Sequence, residues 1–308
     1  MQGSTSHHSH RSVSGVAYAA AAYLCWGLFP IYFHELSNVP ALEILAHRIT
    51  WSCLFLVVVV TGLRGWREVR SRLRAPGTLF RLTGSAISIS LNWLVYLWAV
   101  NSGRVVEASL GYFVNPLVTV LLGVIFLSEK LTRRQRLAVG LAAAGVLAMV
   151  LRAGQVPWVA LALALTFGVY GLIRKRVGVD ALSGLLAEVG LLFPLAFGYL
   201  LFLGFTGSGH FGHAGRTSSL LAASGIVTAI PLLMFAAGVH RLALSTVGIL
   251  QYINPTTQLA LAVFALGEPF SPHQAFAFAL IWVSLAVYSS EFISAARRGA
   301  ESQNAHAR

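Results

Sequence analysis

Charged residues are scarce in this sequence. Only 10% of its 308 residues are charged, whereas a soluble domain carries roughly 25%. Hydrophobic residues make up 56% of the chain, and the mean hydropathy is +0.73. Polar side chains are therefore too few to cover a soluble protein of this length, and we expect most of the chain to lie in a membrane.

Cysteines and catalytic motifs are scarce as well. The only two cysteines, Cys25 and Cys53, lie inside apolar runs, which argues against a disulfide framework. The chain contains no P-loop, HExxH or GxSxG sequence. Residues 207–212 match a dinucleotide fingerprint, but no strand precedes them, and the histidines within 7–10 lie in a tail. We therefore expect no cofactor, no metal site and no enzymatic activity.

Ten apolar runs, each about as long as a membrane span, follow one another along the chain. Their predicted bounds are 13–33, 42–63, 82–101, 106–127, 134–151, 157–173, 181–203, 218–239, 245–266 and 273–293. The first run is too long for the apolar core of a signal peptide, so we expect it to be retained. The tails, 1–12 and 295–308, are expected to be disordered. The sequence thus predicts an all-α integral membrane protein of ten transmembrane helices.

Basic residues are concentrated in alternate loops. If the N-terminus is cytoplasmic, 18 of the 22 Lys and Arg residues lie on the cytoplasmic side, three lie outside, and Arg48 lies within the second run. This bias orients helices in a bacterial inner membrane, and we expect both termini in the cytoplasm. It also explains the net charge of +12 without a nucleic-acid partner, because no basic stripe is interleaved with exposed aromatic residues.

The two halves of the chain resemble each other. A shift of 139 residues superposes, without a gap, Asn115 on Asn254, Pro116 on Pro255, Glu129 on Glu268, Thr132 on Ser271 and Gln135 on Gln274. A shift of 141 superposes Trp26 on Phe167 and His47 on Glu188. Each copy holds five predicted helices, so the second copy enters the membrane upside down, as in many secondary transporters. We predict the two repeats at 13–152 and 153–294.

Each copy also carries a predicted capping box at the start of its last helix. The boxes are residues 132–135 and 271–274, in which a hydroxyl and a glutamine side chain satisfy each other's backbone amides. Glu129 and Glu268, just before the boxes, are predicted to anchor the loops. These roles are structural.

Prolines interrupt the fourth and ninth predicted helices at equivalent positions. Pro116 and Pro255 each remove a backbone hydrogen bond, and the freed carbonyl must then be satisfied by protein or by a water-lined cavity. Two such kinks near the midplane indicate a binding site between the repeats. The alternative is a purely structural kink, patched by the side chain of Asn115 or Asn254.

Aromatic and amide side chains near these kinks are candidates for the lining of that site. Aromatic walls with a few polar groups would suit a small amphipathic or aromatic ligand. For any single aromatic residue, ordinary core packing is the alternative. The candidate substrate-binding residues are Tyr23, Trp26, Asn92, Trp93, Tyr96, Phe113, Asn115, Gln251, Tyr252 and Asn254.

Ionisable residues inside apolar runs are expensive to bury and are therefore functional candidates. Glu43 and His47 are four residues apart, on one helical face, and histidine changes charge near neutral pH. His47 and its repeat equivalent Glu188 are candidates for proton coupling, one for each side of the membrane. The alternative is a static network, and we favour it for Arg48, paired with Glu43 or Glu107.

Five segments carry a resemblance to a known family. They are 17–30 (AYAAAAYLCWGLFP), 40–52 (PALEILAHRITWS), 91–93 (LNW), 107–116 (EASLGYFVNP) and 167–175 (FGVYGLIRK). They resemble the RarD-type branch of the EamA family, in the drug/metabolite transporter superfamily, and the likeness covers nearly all of the chain outside its tails. The resemblance implies ten helices in a five-plus-five inverted repeat and the transport of small organic metabolites or drugs.

The sequence therefore favours a secondary transporter, or permease, working by alternating access, with proton coupling and exchange as the two options for its driving force. Its expected partners are a small organic substrate and membrane lipid, and whether it forms a homodimer is left open. An intramembrane enzyme acting on a lipid-linked substrate and a passive channel are the alternatives. An enzyme would cluster its catalytic groups near one membrane face, whereas the polar residues here are spread about the midplane. The inverted repeat favours the carrier.

Overall fold

The computed structural model describes residues 4–102, 104–153, 158–265 and 275–290, and all regular structure in this part of the chain is helical. In chain order the elements are α1 (Ser4–Gly27), α2 (Phe29–His34), α3 (Ala41–Gly62), α4 (Trp66–Leu73), α5 (Thr78–Asn101), α6 (Val105–Leu127), α7 (Arg133–Ala153), α8 (Trp158–Val177), α9 (Ala181–Thr206), α10 (Gly215–Arg241), α11 (Leu244–Leu250), α12 (Ile253–Ala260), a π-helical turn (Leu261–Ala265) and α13 (Ala275–Ser290).

Seven segments are long and apolar enough to cross a membrane. They are Val13–His34, Ala41–Gly62, Ala108–Leu127, Arg133–Leu151, Trp158–Val177, Ala181–Thr206 and Gly215–Arg241. A helix of about 20 residues rises about 30 Å, the thickness of the hydrocarbon core. Because lipid offers no hydrogen-bond partners, such a segment must bond its backbone internally, which a helix does. The all-helical architecture is as predicted.

The other three predicted spans have a different form. The span 82–101 lies within α5, a continuous helix of 24 residues that is not among these seven. The span 245–266 is divided among α11, α12 and the π-helical turn. The span 273–293 corresponds to α13, of which residues 275–290 are described.

The N-terminal end of the chain differs from the prediction. Helix α1 begins at Ser4, within the tail expected to be disordered, because extending a helix that has already formed costs little. The predicted C-terminal tail, Glu268 and the second capping box lie outside the described residues.

Local capping chemistry explains where several helices begin and end. The first predicted capping box is confirmed, since the Thr132 amide donates to Gln135 Oε1 (3.0 Å) and the Gln135 amide donates to Thr132 Oγ1 (3.2 Å). Asp180 caps α9 by accepting from the Ser183 amide at 2.9 Å. Helix α9 ends at Gly207, whose φ of 66° is a left-handed conformation that glycine adopts without steric cost.

The outer surface of the helical bundle is strongly apolar. Phe205 is 89% exposed, Phe80 84% and Leu195 78%. In water such a surface would drive association, whereas lipid accommodates it. The exposed apolar belt is therefore what a membrane-embedded bundle requires.

Small residues allow the helices to approach closely. The Ser52 hydroxyl on α3 donates to the Gly225 carbonyl on α10 at 2.9 Å, and a Cβ added at Gly238 would lie 3.0 Å from Cβ of Ala19 on α1. A Cβ at Gly145 on α7 would lie 2.9 Å from the Ala277 carbonyl oxygen on α13. Close packing over small residues is a major source of helix association in lipid.

The interior contains two large hydrophobic clusters. One joins α1, α3, α8, α9 and α10, with Tyr23 and Phe235 fully buried in it. The other joins α6, α7, α11 and α13 around Phe113 and Tyr252. Beside the first cluster, the helices leave a space that is not filled by side chains, with Ile89 and Leu232 of that cluster in its lining, and this space is the candidate functional site.

Candidate functional site

A cavity of about 400 Å³ lies in the middle of the bundle. This volume lies within the range of about 300–1,000 Å³ that is typical of small-molecule sites. Aromatic and aliphatic side chains make most of the wall, with a few amides and one guanidinium. The lining residues are Trp26, Phe29, Pro30, Phe33, Ala41, Ile44, Leu45, Arg48, Ile89, Asn92, Trp93, Tyr96, Ala108, Ser109, Gly111, Tyr112, Asn115, Leu163, Phe167, Leu232, Gln251, Asn254 and Gln258.

The structure brings seven of the ten candidate lining residues together at this cavity. They come from four places in the chain that are far apart in sequence. The seven are Trp26, Asn92, Trp93, Tyr96, Asn115, Gln251 and Asn254.

The other three candidates are packed behind the cavity wall. Tyr23 is fully buried and its hydroxyl donates to the Val247 carbonyl at 3.2 Å. The Tyr252 hydroxyl donates to the Phe113 carbonyl at 3.3 Å, and the Phe113 ring packs edge-on against Phe278. A buried tyrosine needs a partner for its hydroxyl, and in both tyrosines this partner is a backbone carbonyl rather than the cavity.

The two predicted kinks take different forms. Pro116 lies inside the continuous helix α6, whereas the chain before Pro255 breaks into a turn at Gln251 and Tyr252, between α11 and α12. The Gln251 carbonyl, four residues before Pro255, accepts from the Asn254 amide at 3.0 Å. The freed carbonyl is thus satisfied locally, and the break turns the Gln251 side chain toward the cavity.

Amide side chains form a polar strip on one wall. Gln258 Nε2 donates to Asn254 Oδ1 at 2.9 Å, and Thr119 donates to Asn115 Oδ1 at 3.4 Å. Gln251 is only 4% exposed, and its Oε1 has no hydrogen-bond partner in the described part of the chain. A buried acceptor without a partner is costly, so Gln251 offers a position where a ligand or a water could donate.

Arg48 is positioned by helix α10 and by aromatic rings. Its Nε donates to Thr228 Oγ1 at 2.9 Å, and its guanidinium lies 5.2 Å from the ring centre of Phe33 and 5.4 Å from that of Trp93. The predicted pairing with Glu43 does not form. The side chain of Glu107 lies outside the described residues.

Glu43 instead anchors the loop between α9 and α10. Its Oε1 accepts from the His210 amide at 2.6 Å, and its Oε2 lies 2.8 Å from His210 Nδ1. His47 Nε2 is 4.0 Å from Glu43 Oε1, and the His47 ring stacks on Phe211. Trp51 donates to His47 Nδ1 at 3.2 Å. These residues form a buried polar cluster at one end of α3, which we call the His47 cluster.

Glu188 lies in a second buried polar cluster, which we call the Glu188 cluster. Glu188 is 2% exposed, and its carboxylate accepts from Ser85 (2.6 Å) and Tyr170 (3.5 Å) and lies 3.5 Å from Arg174 Nη1. Arg174, assigned from sequence to a cytoplasmic loop, is fully buried near the end of α8. Arg174 can be buried, rather than exposed in a loop as predicted, because the negative charge of Glu188 compensates its positive charge. Neither Glu188 nor His47 lines the cavity.

Side-chain contacts join the ends of α6, α8 and α10 and the start of α11. Glu129 accepts from the amides of Leu244 (2.6 Å) and Ser245 (2.8 Å), at the start of α11. Lys175 on α8 donates to the Val239 carbonyl on α10 at 2.9 Å. We call these contacts of Glu129 and Lys175 the clasp. The loop-anchoring role predicted for Glu129 is confirmed.

Several lining residues were missed from sequence. Gln258 follows Asn254 by one helical turn, so the 3.6-residue period could have found it. Tyr112 occupies the position one turn before Pro116, where a freed carbonyl was expected. Phe29 and Phe33 lie on α2, a separate short helix that hydropathy alone merges with the first span.

The comparisons with known proteins assign the chain to a family. Residues 13–151 match the model of the EamA-like transporter family. An uncharacterized transporter of Bacillus subtilis, YojE, is 49% identical, and the match covers 89% of this chain and 93% of that protein. The chain belongs to the EamA-like transporter family. Protein RarD of Escherichia coli is 45% identical over 92% of this chain and 96% of its own, which places the chain in the RarD-type branch.

Further comparisons agree with this family assignment. The chloramphenicol-sensitive protein RarD of Pseudomonas aeruginosa is 37% identical over 89% of this chain and 93% of that protein. A crystal structure that is 22% identical superposes with a TM-score of 0.69, covering 89% of this chain and 96% of the other, so the fold is shared. Seven apolar helices and bacterial transporter relatives make this EamA family member a multi-pass protein of the inner membrane.

Proposed function

We propose that this EamA family member is a secondary transporter that moves a small organic molecule across the inner membrane by alternating access. Ten helices would form two inverted five-helix units, 13–152 and 153–294, with both termini in the cytoplasm. The cavity between the units would hold the substrate. The observation that carries the proposal is that equivalent residues of the two halves contact each other beside this cavity.

Two such contacts are present. Phe113 and Tyr252 are related by the shift of 139 residues, and they share a hydrogen bond. Trp26 and Phe167 are related by the shift of 141, and their rings meet edge-on at 5.8 Å. Around a two-fold axis, residues near the axis meet their own equivalents. These contacts therefore support an inverted repeat, and the family match to residues 13–151 has the length of one unit.

The position of the cavity supports the same arrangement. Its lining residues up to Asn115 belong to the first unit, and those from Leu163 onward belong to the second. In transporters with inverted repeats, the substrate site lies between the repeats near the midplane. Rocking of one unit against the other would then expose the site to each side in turn.

The clasp would define which side is closed. The basic-residue bias assigns the ends of α6 and α8 to the cytoplasm, and the clasp residues Glu129 and Lys175 lie at those ends. Ala41, at the start of α3 and thus toward the other side, lines the cavity. The conformation would therefore be closed toward the cytoplasm, and opening inward would require the clasp to break.

For proton coupling, we propose His47 ahead of Glu188. His47 Nε2 has no hydrogen-bond partner among the described residues, and Glu43 lies 4.0 Å away. The Glu188 carboxylate already has Arg174, Ser85 and Tyr170 as partners. A side chain with a free nitrogen, such as His47, can gain or lose a proton more readily than Glu188, whose charge is already compensated in an ion pair.

Purified protein in liposomes provides the test. Uptake of a panel of metabolites and drugs would be measured with and without an imposed pH gradient. We expect at least one compound to accumulate, Trp93→Ala to reduce its uptake, and Trp98→Ala to leave it unchanged. Both tryptophans are on α5, but only Trp93 lines the cavity. No uptake of any compound would refute the transporter, and His47→Ala with intact gradient dependence would refute the coupling role.

A further inference from the structure

The cavity has an unusual balance of charge. Among the described side chains that line it, Arg48 is the only charged one, and its other walls are aromatic, aliphatic or neutral amide. A charge inside a membrane protein is expensive unless it has a partner or a function. Arg48 therefore requires a negative charge to balance its own.

The described protein surroundings do not supply that balancing charge. No carboxylate in the described part of the chain lies within ion-pair distance of Arg48, and Glu43, five residues earlier, is engaged by His210. Thr228 holds Nε, and the rings of Phe33 and Trp93 offer cation–π attraction. These groups offset part of the desolvation cost but carry no net negative charge.

The geometry leaves the binding edge of the guanidinium free. Thr228 takes the single Nε donor, while the two Nη groups have no acceptor within the described residues. Two parallel N–H donors match the two oxygens of a carboxylate or the oxygens of a phosphate. Because Thr228 and the flanking rings hold the side chain in place, little further entropy is lost when an anion binds.

A single cation in a largely apolar cavity favours a ligand with a single negative charge. A phosphate carries nearly two charges at neutral pH, so half of its charge would be left uncompensated against aromatic walls. A carboxylate carries one. The unpartnered Gln251 Oε1 adds a position for one hydrogen-bond donor on the ligand.

We propose that the substrate is a small organic monocarboxylate with an aromatic or apolar body, whose carboxylate is bound by Arg48. The inference rests on the proposed transport function. Arg48 is then the residue that selects anions, and the aromatic walls accept the body of the ligand.

Calorimetric titration of the purified full-length protein tests the charge requirement directly. The probes are phenylacetate and indole-3-acetate, each paired with its primary amide, together with phenyl phosphate. We expect each carboxylate to bind roughly 10- to 100-fold more tightly than its amide, because charge-assisted hydrogen bonds to Arg48 are lost. A panel in which no carboxylate binds more tightly than its amide overturns the proposal, and tighter binding of phenyl phosphate overturns the monocarboxylate assignment.

Substitutions of Arg48 test whether this residue causes the preference for the carboxylate. Arg48→Gln should abolish the preference for the carboxylate, and Arg48→Lys, which keeps the charge but loses the two-pronged donor, should retain only part of it. Arg104→Gln is the matched control, because Arg104 also lies over two tryptophan rings, at 5.5 and 5.7 Å, but does not line the cavity. An unchanged preference in both Arg48 variants overturns the proposal. The probe comparison on the wild type stands even if Arg48→Gln does not fold.

Exchange of labelled compounds across proteoliposome membranes separates this inference from the transporter proposal. Exchange of a carboxylate that is unchanged in Arg48→Gln would support transport and overturn the role of Arg48 in the substrate site. Carboxylate binding that depends on Arg48, in a protein that exchanges no compound, would support the anion site and refute transport.

Discussion

Removing the charge of Glu188 should destabilise the protein far more than removing the charge of an exposed glutamate. Glu188→Gln preserves the size of the side chain and one acceptor for the Ser85 hydroxyl. It leaves Arg174, which is fully buried, without its carboxylate. Nε and Nη1 of Arg174 have no hydrogen-bond partner in the described part of the chain, and the Ala181 carbonyl, which accepts from Nη2 at 3.5 Å, carries no net charge.

The magnitude follows from burial. Loss of one partner of a buried ion pair costs about 3–5 kcal/mol. Glu68 and Arg72 provide the reference, because their atoms are 3.4 Å apart, nearly the same separation, but the side chains are 65% and 51% exposed. An exposed pair at this helical spacing contributes only about 0.3–0.5 kcal/mol. We therefore expect Glu188→Gln to cost several times more stability than Glu68→Gln.

Unfolding in mixed micelles, titrated with SDS and followed by tryptophan fluorescence, measures both variants against the wild type. A double variant, Arg174→Met with Glu188→Gln, provides a second comparison. Because replacing a whole buried ion pair by neutral side chains is often close to neutral, the double variant should recover most of the stability lost in the single one. The reasoning is refuted if Glu188→Gln costs no more than Glu68→Gln, or if the double variant is less stable than the single.

Three further predictions concern the clasp, the His47 cluster and the topology. Glu129→Gln should lower the unfolding free energy by about 1–3 kcal/mol, because an amide offers one acceptor oxygen where the carboxylate serves two backbone amides. His210→Ala should speed hydrogen exchange in the loop between α9 and α10, because the loop loses its side-chain contact with Glu43. In a background without native cysteines, Arg70→Cys and Ser208→Cys should react with impermeant reagents from opposite sides of the membrane.

Exposed neighbours provide controls for the first two of these. Lys130→Gln should leave the unfolding free energy within about 0.5 kcal/mol of the wild type, and an equal loss in Glu129→Gln would contradict the clasp. His213→Ala should not change loop exchange, and similar exchange rates in His210→Ala would mean that the side chain does not hold the loop. Labelling of both engineered cysteines from one side would contradict the inverted arrangement.

Features that depend on neighbouring residues were predictable from the sequence. Apolar runs predicted where helices form, because lipid makes a helix the required conformation of a long apolar segment. The capping box at Thr132 followed from chemistry within a few residues. The anchoring role of Glu129 followed from its place just before that box, whereas its partners at the start of α11 did not. The shift of 139 residues pointed to Asn115 and Asn254, and the kink at Pro255 pointed to Gln251. All three line the cavity.

Features that depend on how each helix is rotated and what it faces were decided only by the tertiary structure. Arg48 donates a hydrogen bond to Thr228, 180 residues away, rather than pairing with Glu43 on its own helix. Arg174, predicted to lie in a loop, is buried in an ion pair with Glu188. Tyr23 packs into the core while Trp26, three residues later, faces the cavity. Hydropathy is nearly the same around each of these helices, so no local pattern distinguishes core, cavity and lipid, and only the approach of distant helices assigns each side chain to one of them.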